Sequence, residues 1–129
     1  MKIELNHTII HCKNKVESST FVAEILGLPA PITFYHFEVV QTTNNASLDF
    51  LETDGSFTVQ HYAFLVGDEE FDQIFDRVKQ RKIPYWADPG KQQLGKINTL
   101  FGGRGFYFEE PSGNYLEVLT RPYSYSARS

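Results

Sequence analysis

Residues 105–120 read Gly-Phe-Tyr-Phe-Glu-Glu-Pro-Ser-Gly-Asn-Tyr-Leu-Glu-Val-Leu-Thr, a pattern more specific than any other in the chain. Aromatic and aliphatic residues fill both ends, which predicts a strand over Gly105–Phe108 and another over Tyr115–Thr120. The five residues from glutamate to asparagine between them are typical of a turn, because Pro, Gly and Asn suit turn conformations. Glu117 therefore lies inside a strand, between leucine and valine.

The last part of this stretch repeats an earlier one. Leu116-Glu-Val-Leu119 matches Leu48-Asp-Phe-Leu51, with an acid between apolar residues in both. His7 and His61 lie 54 residues apart, each on a run with strand-like alternation. The two acids lie 68 residues apart, and the polar stretch Ala87–Gly102 accounts for the difference of about 14 residues. This duplication predicts an α+β fold made of two tandem modules, each with the order β-α-β-β and a possible further strand.

Hydrophobic spacing predicts the other elements of each module. A helix over Val16–Leu26 is indicated by apolar residues at helical spacing and by Gly27, a residue typical of the position after a helix. A second helix is expected to begin at Asp68 as its N-cap and to end near Lys82. The remaining predicted strands are Ile3–Cys12, Thr33–Gln41, Ser47–Thr53 and Thr58–Val66.

Composition excludes several classes of protein. The chain has 129 residues and a net charge of −4, which suits one domain and lacks the basic surface that nucleic-acid binding requires. Eleven phenylalanines and seven tyrosines exclude intrinsic disorder, and the single cysteine, Cys12, excludes an internal disulfide. No apolar run is long enough to span a bilayer, and no signal peptide is visible. We therefore expect a soluble, cytoplasmic protein with a small-molecule substrate and no nucleic-acid or membrane partner.

His7, His61 and Glu117 are the candidate metal ligands. Two histidines and a carboxylate on three strands, with the histidines at equivalent positions of a repeat, fit a 2-His-1-carboxylate site. Such a donor set suits Fe, Mn, Ni, Co or Zn as divalent ions and leaves positions open for a substrate. Each residue also has a plainer interpretation, in which Glu117 faces solvent and the histidines are structural. Spacing alone does not distinguish the two.

Three motifs resemble the vicinal oxygen chelate superfamily, which contains glyoxalase I, extradiol dioxygenases, fosfomycin-resistance enzymes and bleomycin-resistance proteins. They are Leu-Asn-His-Thr-Ile-Ile at 5–10, Gln-His-Tyr-Ala-Phe-Leu-Val at 60–66, and Gly-Phe-Tyr-Phe-Glu-Glu-Pro-Ser-Gly-Asn-Tyr-Leu-Glu-Val at 105–118. The resemblance covers nearly the whole chain, and its last motif is the most specific.

The resemblance implies an architecture and a ligand set. The fold implied is a single glyoxalase/bleomycin resistance/dioxygenase-like domain over 1–129, made of two tandem βαβββ modules, module 1–57 and module 58–129. The strands of the two modules would form an open, curled mixed sheet around a metal. By position, the resemblance implies that the three recurrent metal ligands are His7, His61 and Glu117.

The activity implied is that of a divalent-metal-dependent enzyme acting on a small molecule with vicinal oxygens, through glyoxalase-like lyase or isomerase chemistry or extradiol-type dioxygenation. Asp49 and Glu117 are then the expected catalytic carboxylates. Asp49 matches a position where glyoxalase-type members place a fourth ligand, usually glutamate, and its shorter side chain leaves direct ligation open. The alternative is a non-catalytic protein that binds or sequesters a small molecule, as bleomycin-resistance proteins do. The resemblance also implies a homodimer, with sites built within one chain or across two.

Three further residues are expected to contact the substrate. Arg104 follows two glycines at the entry to a strand, and its side chain is a candidate for binding an anionic group. Lys96 lies in the stretch Ala87–Gly102, which is long enough for a lid or binding loop. Tyr107 belongs to a set of aromatic residues that either line a pocket or fill the core. The tail, residues 121–129, has no periodicity, and we interpret it as partly disordered or packed against a second subunit.

Overall fold

One four-stranded mixed sheet organises the first module. A computed structural model describes residues 1–124 of the chain. The elements of the first module are β1 (His7–Cys12), α1 (Lys15–Leu26), β2 (Ile32–Phe34), β3 (Phe37–Gln41) and β4 (Ser47–Glu52). The strand order is β1-β4-β3-β2, with β1 parallel to β4 and antiparallel pairing between the other neighbours. Helix α1 contacts β3 and β4 and covers one face of this sheet, because Val22 and Ile25 are buried.

The second module repeats the arrangement. Its elements are β5 (His61–Leu65), α2 (Asp68–Gln80), β6 (Tyr85–Trp86), a short 3₁₀ turn (Leu100–Gly102), β7 (Gly105–Glu109) and β8 (Tyr115–Leu119). The strand order is β5-β8-β7-β6, and β5 is parallel to β8. The Phe71 ring on α2 packs edge-on against Phe106 on β7, with centroids 5.4 Å apart. The predicted α+β fold of two tandem βαβββ modules is therefore confirmed.

The parallel strand pairs match between the modules residue by residue. In the first pair, His7 lies opposite Ser47, and two residues further Ile9 lies opposite Asp49. In the second pair, His61 lies opposite Tyr115, and two residues further Ala63 lies opposite Glu117. Each module therefore places a histidine at the start of one strand and an acid two positions further on the neighbouring strand. The spacing of the repeat predicted this equivalence.

The helix ends are set by local chemistry. Asn14 caps α1, since its side chain accepts a hydrogen bond from the Glu17 amide at 3.0 Å, and Gly27 ends the helix with a positive φ of 74°. In α2 the prediction that Asp68 is the N-cap was wrong. Gly67 holds the extended cap conformation, and Asp68 is the first helical residue, where its negative charge faces the positive end of the helix dipole.

Strands are shorter than their sequence patterns suggested. The predicted strand Thr33–Gln41 is a hairpin, because Tyr35 has a φ of 53° and reverses the chain between β2 and β3. The first strand begins at His7 rather than Ile3, and β5 begins at His61 rather than Thr58. Apolar alternation extends beyond the residues that find a partner strand, so periodicity alone overestimates strand length.

The chain divides into two compact units. One contains Met1–Gln60 together with Glu110–Asn114, and the other contains His61–Glu109 and the residues from Tyr115 onward. No helix among residues 1–124 is long and apolar enough to cross a membrane. The part of the tail beyond residue 124 lies outside the described residues.

Asn114, at the end of the Glu-Pro-Ser-Gly-Asn turn, joins three backbone segments of the first unit. Its side-chain oxygen accepts a hydrogen bond from the Gln60 amide at 2.9 Å, and its side-chain nitrogen donates to the His11 carbonyl at 2.9 Å. The Asn114 amide also donates to Glu110. Asn114 is 1% exposed, so its side-chain amide makes these contacts away from bulk water.

We expect Asn114→Ala to lower the free energy of unfolding by about 1–3 kcal/mol, because it removes the side-chain partner of two partly buried backbone groups, the Gln60 amide and the His11 carbonyl. Denaturant unfolding followed by circular dichroism measures the loss. Asn44→Ala, in the exposed turn before β4, is the matched control and should change the value by less than about 0.5 kcal/mol. Equal effects of both variants would contradict the role assigned to Asn114.

Candidate metal centre

Glu117 and His61 form the centre of the candidate site in the second module. They lie on the adjacent parallel strands β8 and β5, and His61 Nε2 is 3.0 Å from Glu117 Oε1. Only 3% of the Glu117 side chain is exposed, against 46% for His61. A buried carboxylate is costly unless a partner compensates its lost hydration, and the imidazole supplies that partner. The alternative interpretation of Glu117 as a solvent-facing strand residue is therefore wrong.

The other oxygen of Glu117 is held by a tyrosine that the sequence did not single out. The Tyr123 hydroxyl donates to Glu117 Oε2 at 2.7 Å, and the Tyr107 hydroxyl lies 3.3 Å from that of Tyr123. Burial raises the pKa of Tyr107 well above its usual value, and the nearby Tyr123 and Glu117 raise it further. Tyr107 is therefore a neutral phenol that keeps its proton as a hydrogen-bond donor.

Aromatic rings surround His61. The rings of Tyr107 and Tyr115 stack with centroids 5.4 Å apart, and they lie 5.7 Å and 6.2 Å from the imidazole. The Trp86 ring follows at 6.4 Å from Tyr115, and the Lys91 ammonium lies 5.1 Å from the centre of the Trp86 ring. This sheet face therefore combines a nitrogen and oxygen donor pair with flat apolar surfaces and one cation.

His7 and Asp49 share a cleft in the first module. Both lie on the sheet face that α1 does not cover, at an open cleft of about 430 Å³. His7 Nδ1 is 2.8 Å from Asn6 Oδ1, and Asp49 Oδ1 accepts a hydrogen bond from the Ser47 hydroxyl at 2.9 Å. The other residues that line the cleft are Ile9, Ile32, Phe34, Phe37, Val39 and Gln41.

The structure thus brings the predicted residues together in two pairs. His61 and Glu117 contact each other in one compact unit, whereas His7 and Asp49 line the cleft of the other. Within residues 1–124, no group of three or more His, Cys, Asp or Glu side chains is gathered as a metal site. The complete ligand set of His7, His61 and Glu117 stays a prediction.

Arg104 and Lys96, which were expected to contact the substrate, lie away from the His61–Glu117 pair in the sequence and have their own surroundings. The Arg104 guanidinium lies 2.7 Å from an Asp72 oxygen and 3.5 Å from an Asp68 oxygen, and it covers the Phe71 ring at 4.3 Å. The hydrogen bond that Arg104 donates to Asp72 is the main reason that the pKa of Arg104 is raised. Arg104 is thus bound to α2, while Lys96 is exposed in the loop before β7. Substrate contact by either residue stays a prediction.

The His61–Glu117 pair has the chemistry of a divalent metal site. Two ligands that bind one ion at about 2.1 Å and at right angles lie about 3 Å apart. The distance of 3.0 Å between His61 Nε2 and Glu117 Oε1 matches that spacing. In the first module, the Asn6 contact occupies Nδ1 of His7, so Nε2 is the nitrogen with which His7 would bind. Imidazole and carboxylate donors together suit first-row divalent metals.

Comparisons with known proteins agree with this chemistry. The family model of the Glyoxalase/Bleomycin resistance protein/Dioxygenase superfamily matches residues 4–118. The structure of "Oxidase ChaP-H1" is similar to this chain with 54% sequence identity and a TM-score of 0.94, covering 95% of this chain and 99% of that one. "Glutathione transferase FosA" of Serratia marcescens is 29% identical over 122 residues, covering 88% of this chain and 78% of that protein. "Metallothiol transferase FosB" of Lysinibacillus sphaericus (strain C3-41) is 20% identical over 121 residues, covering 90% and 81%.

Proposed function

The chain belongs to the Glyoxalase/Bleomycin resistance protein/Dioxygenase superfamily, and we propose that it is a divalent-metal-dependent enzyme that oxidises a small molecule with vicinal oxygens. The observation that carries the proposal is the buried Glu117 carboxylate in contact with His61. Oxidation is favoured over lyase or transferase chemistry because ChaP-H1, an oxidase, shares far more of its sequence with this chain than FosA and FosB do.

His7, His61 and Glu117 are the proposed ligands of the metal. When bound, a divalent metal acts as a Lewis acid on substrate oxygens, and iron or manganese can also exchange electrons with O₂. The chain's own residues orient the substrate, since the partly exposed ring of Tyr115, stacked on the buried ring of Tyr107, offers a flat apolar surface beside His61. These two rings favour a planar substrate at this site.

Asp49 is the proposed general base. Its carboxylate lies on the face of the first sheet that α1 leaves uncovered, and it accepts a hydrogen bond from the Ser47 hydroxyl. A partly exposed carboxylate with a weak partner can accept a proton from a substrate hydroxyl. Both oxygens of the buried Glu117, in contrast, already have hydrogen-bond partners.

We also propose a homodimer. The uncovered face of the first sheet exposes 42% of Ile9, 58% of Ile32 and 57% of Phe34, and apolar surface of this kind favours contact with a partner. Sedimentation velocity is therefore expected to give twice the chain mass of 14.8 kDa. A species with the mass of one chain at micromolar concentration would refute the dimer.

Protein purified without chelators is expected to hold about one divalent ion per proposed site, measured by elemental mass spectrometry. His61→Ala and Glu117→Gln should each weaken metal binding by more than about 100-fold, because each removes a ligand rather than a residue that supports one. His36→Ala, an exposed histidine in the β2–β3 turn, is the matched control and should bind metal as the parent does. Parent protein without a stoichiometric divalent ion would argue for the non-catalytic alternative, and full metal content in His61→Ala would remove His61 from the proposed ligand set.

Iron- or manganese-loaded protein is expected to consume O₂ with diols of the catechol type, followed with an oxygen electrode. Asp49→Asn removes the base while keeping its size, so turnover should fall about 10²- to 10⁴-fold with the metal retained. Asp54→Asn, in the exposed loop after β4, is the matched control and should keep the parent's turnover.

Parallel assays separate the competing chemistries. Methylglyoxal–thiol adducts test the lyase or isomerase reaction, and an epoxide with a thiol tests transfer. Turnover of either one without O₂ consumption would replace oxidation as the proposed reaction. Tight ligand binding without turnover in any assay would assign a sequestering function.

A further inference from the structure

We infer that Tyr123 is a positioning residue of the metal centre, where its hydroxyl holds one carboxylate oxygen of Glu117 so that only the other oxygen faces His61. This inference rests on the proposed function, since it takes Glu117 to be a ligand. Tyr123 lies four residues after the end of β8, and its side chain reaches back to Glu117 on that strand.

The two oxygens of Glu117 have different partners. Oε1 is 3.0 Å from His61 Nε2, and Oε2 accepts the Tyr123 hydroxyl at 2.7 Å. Charge-assisted O–H···O⁻ contacts of this length are among the stronger hydrogen bonds in proteins. Because the carboxylate is held at both ends, it cannot rotate to present both oxygens to the same side.

Other side chains hold Tyr123 in this position. Its ring lies 5.4 Å from the Phe101 ring, and its hydroxyl is 3.3 Å from that of Tyr107. Since the Tyr123 proton is used on Glu117, the Tyr107 proton points to the Tyr123 oxygen. The result is a chain of two donors, from Tyr107 to Tyr123 to the carboxylate, in which each hydroxyl fixes the direction of the next.

This arrangement has a consequence for substrate binding. A carboxylate can ligate a metal through one oxygen or through both. Three protein ligands that each use one atom leave three positions of an octahedral ion open, enough for two substrate oxygens and one further group. If Oε2 were released, it would compete with the substrate or with water for one of those positions.

Tyr123→Phe tests the inference because it keeps the ring against Phe101 and removes only the hydroxyl. In the absence of substrate, we expect the affinity of Tyr123→Phe for Mn(II) to be about tenfold lower than that of the parent. Loss of a side chain that hydrogen-bonds to a metal ligand typically has an effect of this size. We also expect the water-proton relaxivity of the bound Mn(II) to fall by about one third, because the freed oxygen displaces one of about three metal-bound waters. Tyr35→Phe, whose ring is 82% exposed on the β2–β3 turn, is the matched control and should equal the parent in both measurements.

The outcomes separate this inference from the proposed function. If the parent binds no Mn(II), the proposed metal centre fails and the role of Tyr123 fails with it. If the parent binds Mn(II) and Tyr123→Phe shows the parent's relaxivity, the positioning role alone is overturned, whether or not affinity falls. A merely structural tyrosine would lower stability or affinity without changing the number of bound waters.

Discussion

The contact between His61 and Glu117 is the interaction on which the rest of the candidate site depends. A carboxylate that is 3% exposed needs partners for both oxygens, and a slip of one residue between the two strands would turn one partner to the opposite face. The parallel pairing of β5 with β8 fixes that register. Tyr123 supplies the partner of the second carboxylate oxygen, and the rings of Tyr107 and Tyr115 lie beside His61.

Duplication would explain why the proposed ligands are distributed over the sequence. Each module carries a histidine at the start of one strand and an acid two positions further on the parallel neighbour, as His7 with Asp49 and His61 with Glu117. Three ligands taken from rigid strands need no common sequence motif, so their signal in the sequence is the matched spacing of two halves. That spacing reflects how the strands pair, and it does not indicate which reaction the protein catalyses.

Local features of the fold and its duplication could be predicted from the sequence, whereas contacts that depend on how distant elements pack could not. Gly27 marks the end of α1 because glycine readily takes the positive φ that ends a helix. The division of Thr33–Gln41 into two strands had no such signal, since Tyr35 takes a positive φ without being glycine. Arg104 is bound to Asp72, 32 residues away, and only the packing of α2 against the sheet brings them together.

Tyr123 shows the same limit within the candidate site. The sequence after β8 has no periodicity that would place Tyr123 against that strand. The contact of Tyr123 with Glu117 depends on a turn of the chain after the strand ends. The equivalent acid of the first module has no such support among residues 1–124, where the Asp49 carboxylate accepts a hydrogen bond from a serine hydroxyl on its own strand. A carboxylate held from both sides is suited to fixed ligation, and a partly exposed one beside an open cleft is suited to moving a proton. The duplicated positions have therefore diverged in their surroundings, and this divergence is the physical basis for assigning one acid to the metal and the other to the substrate.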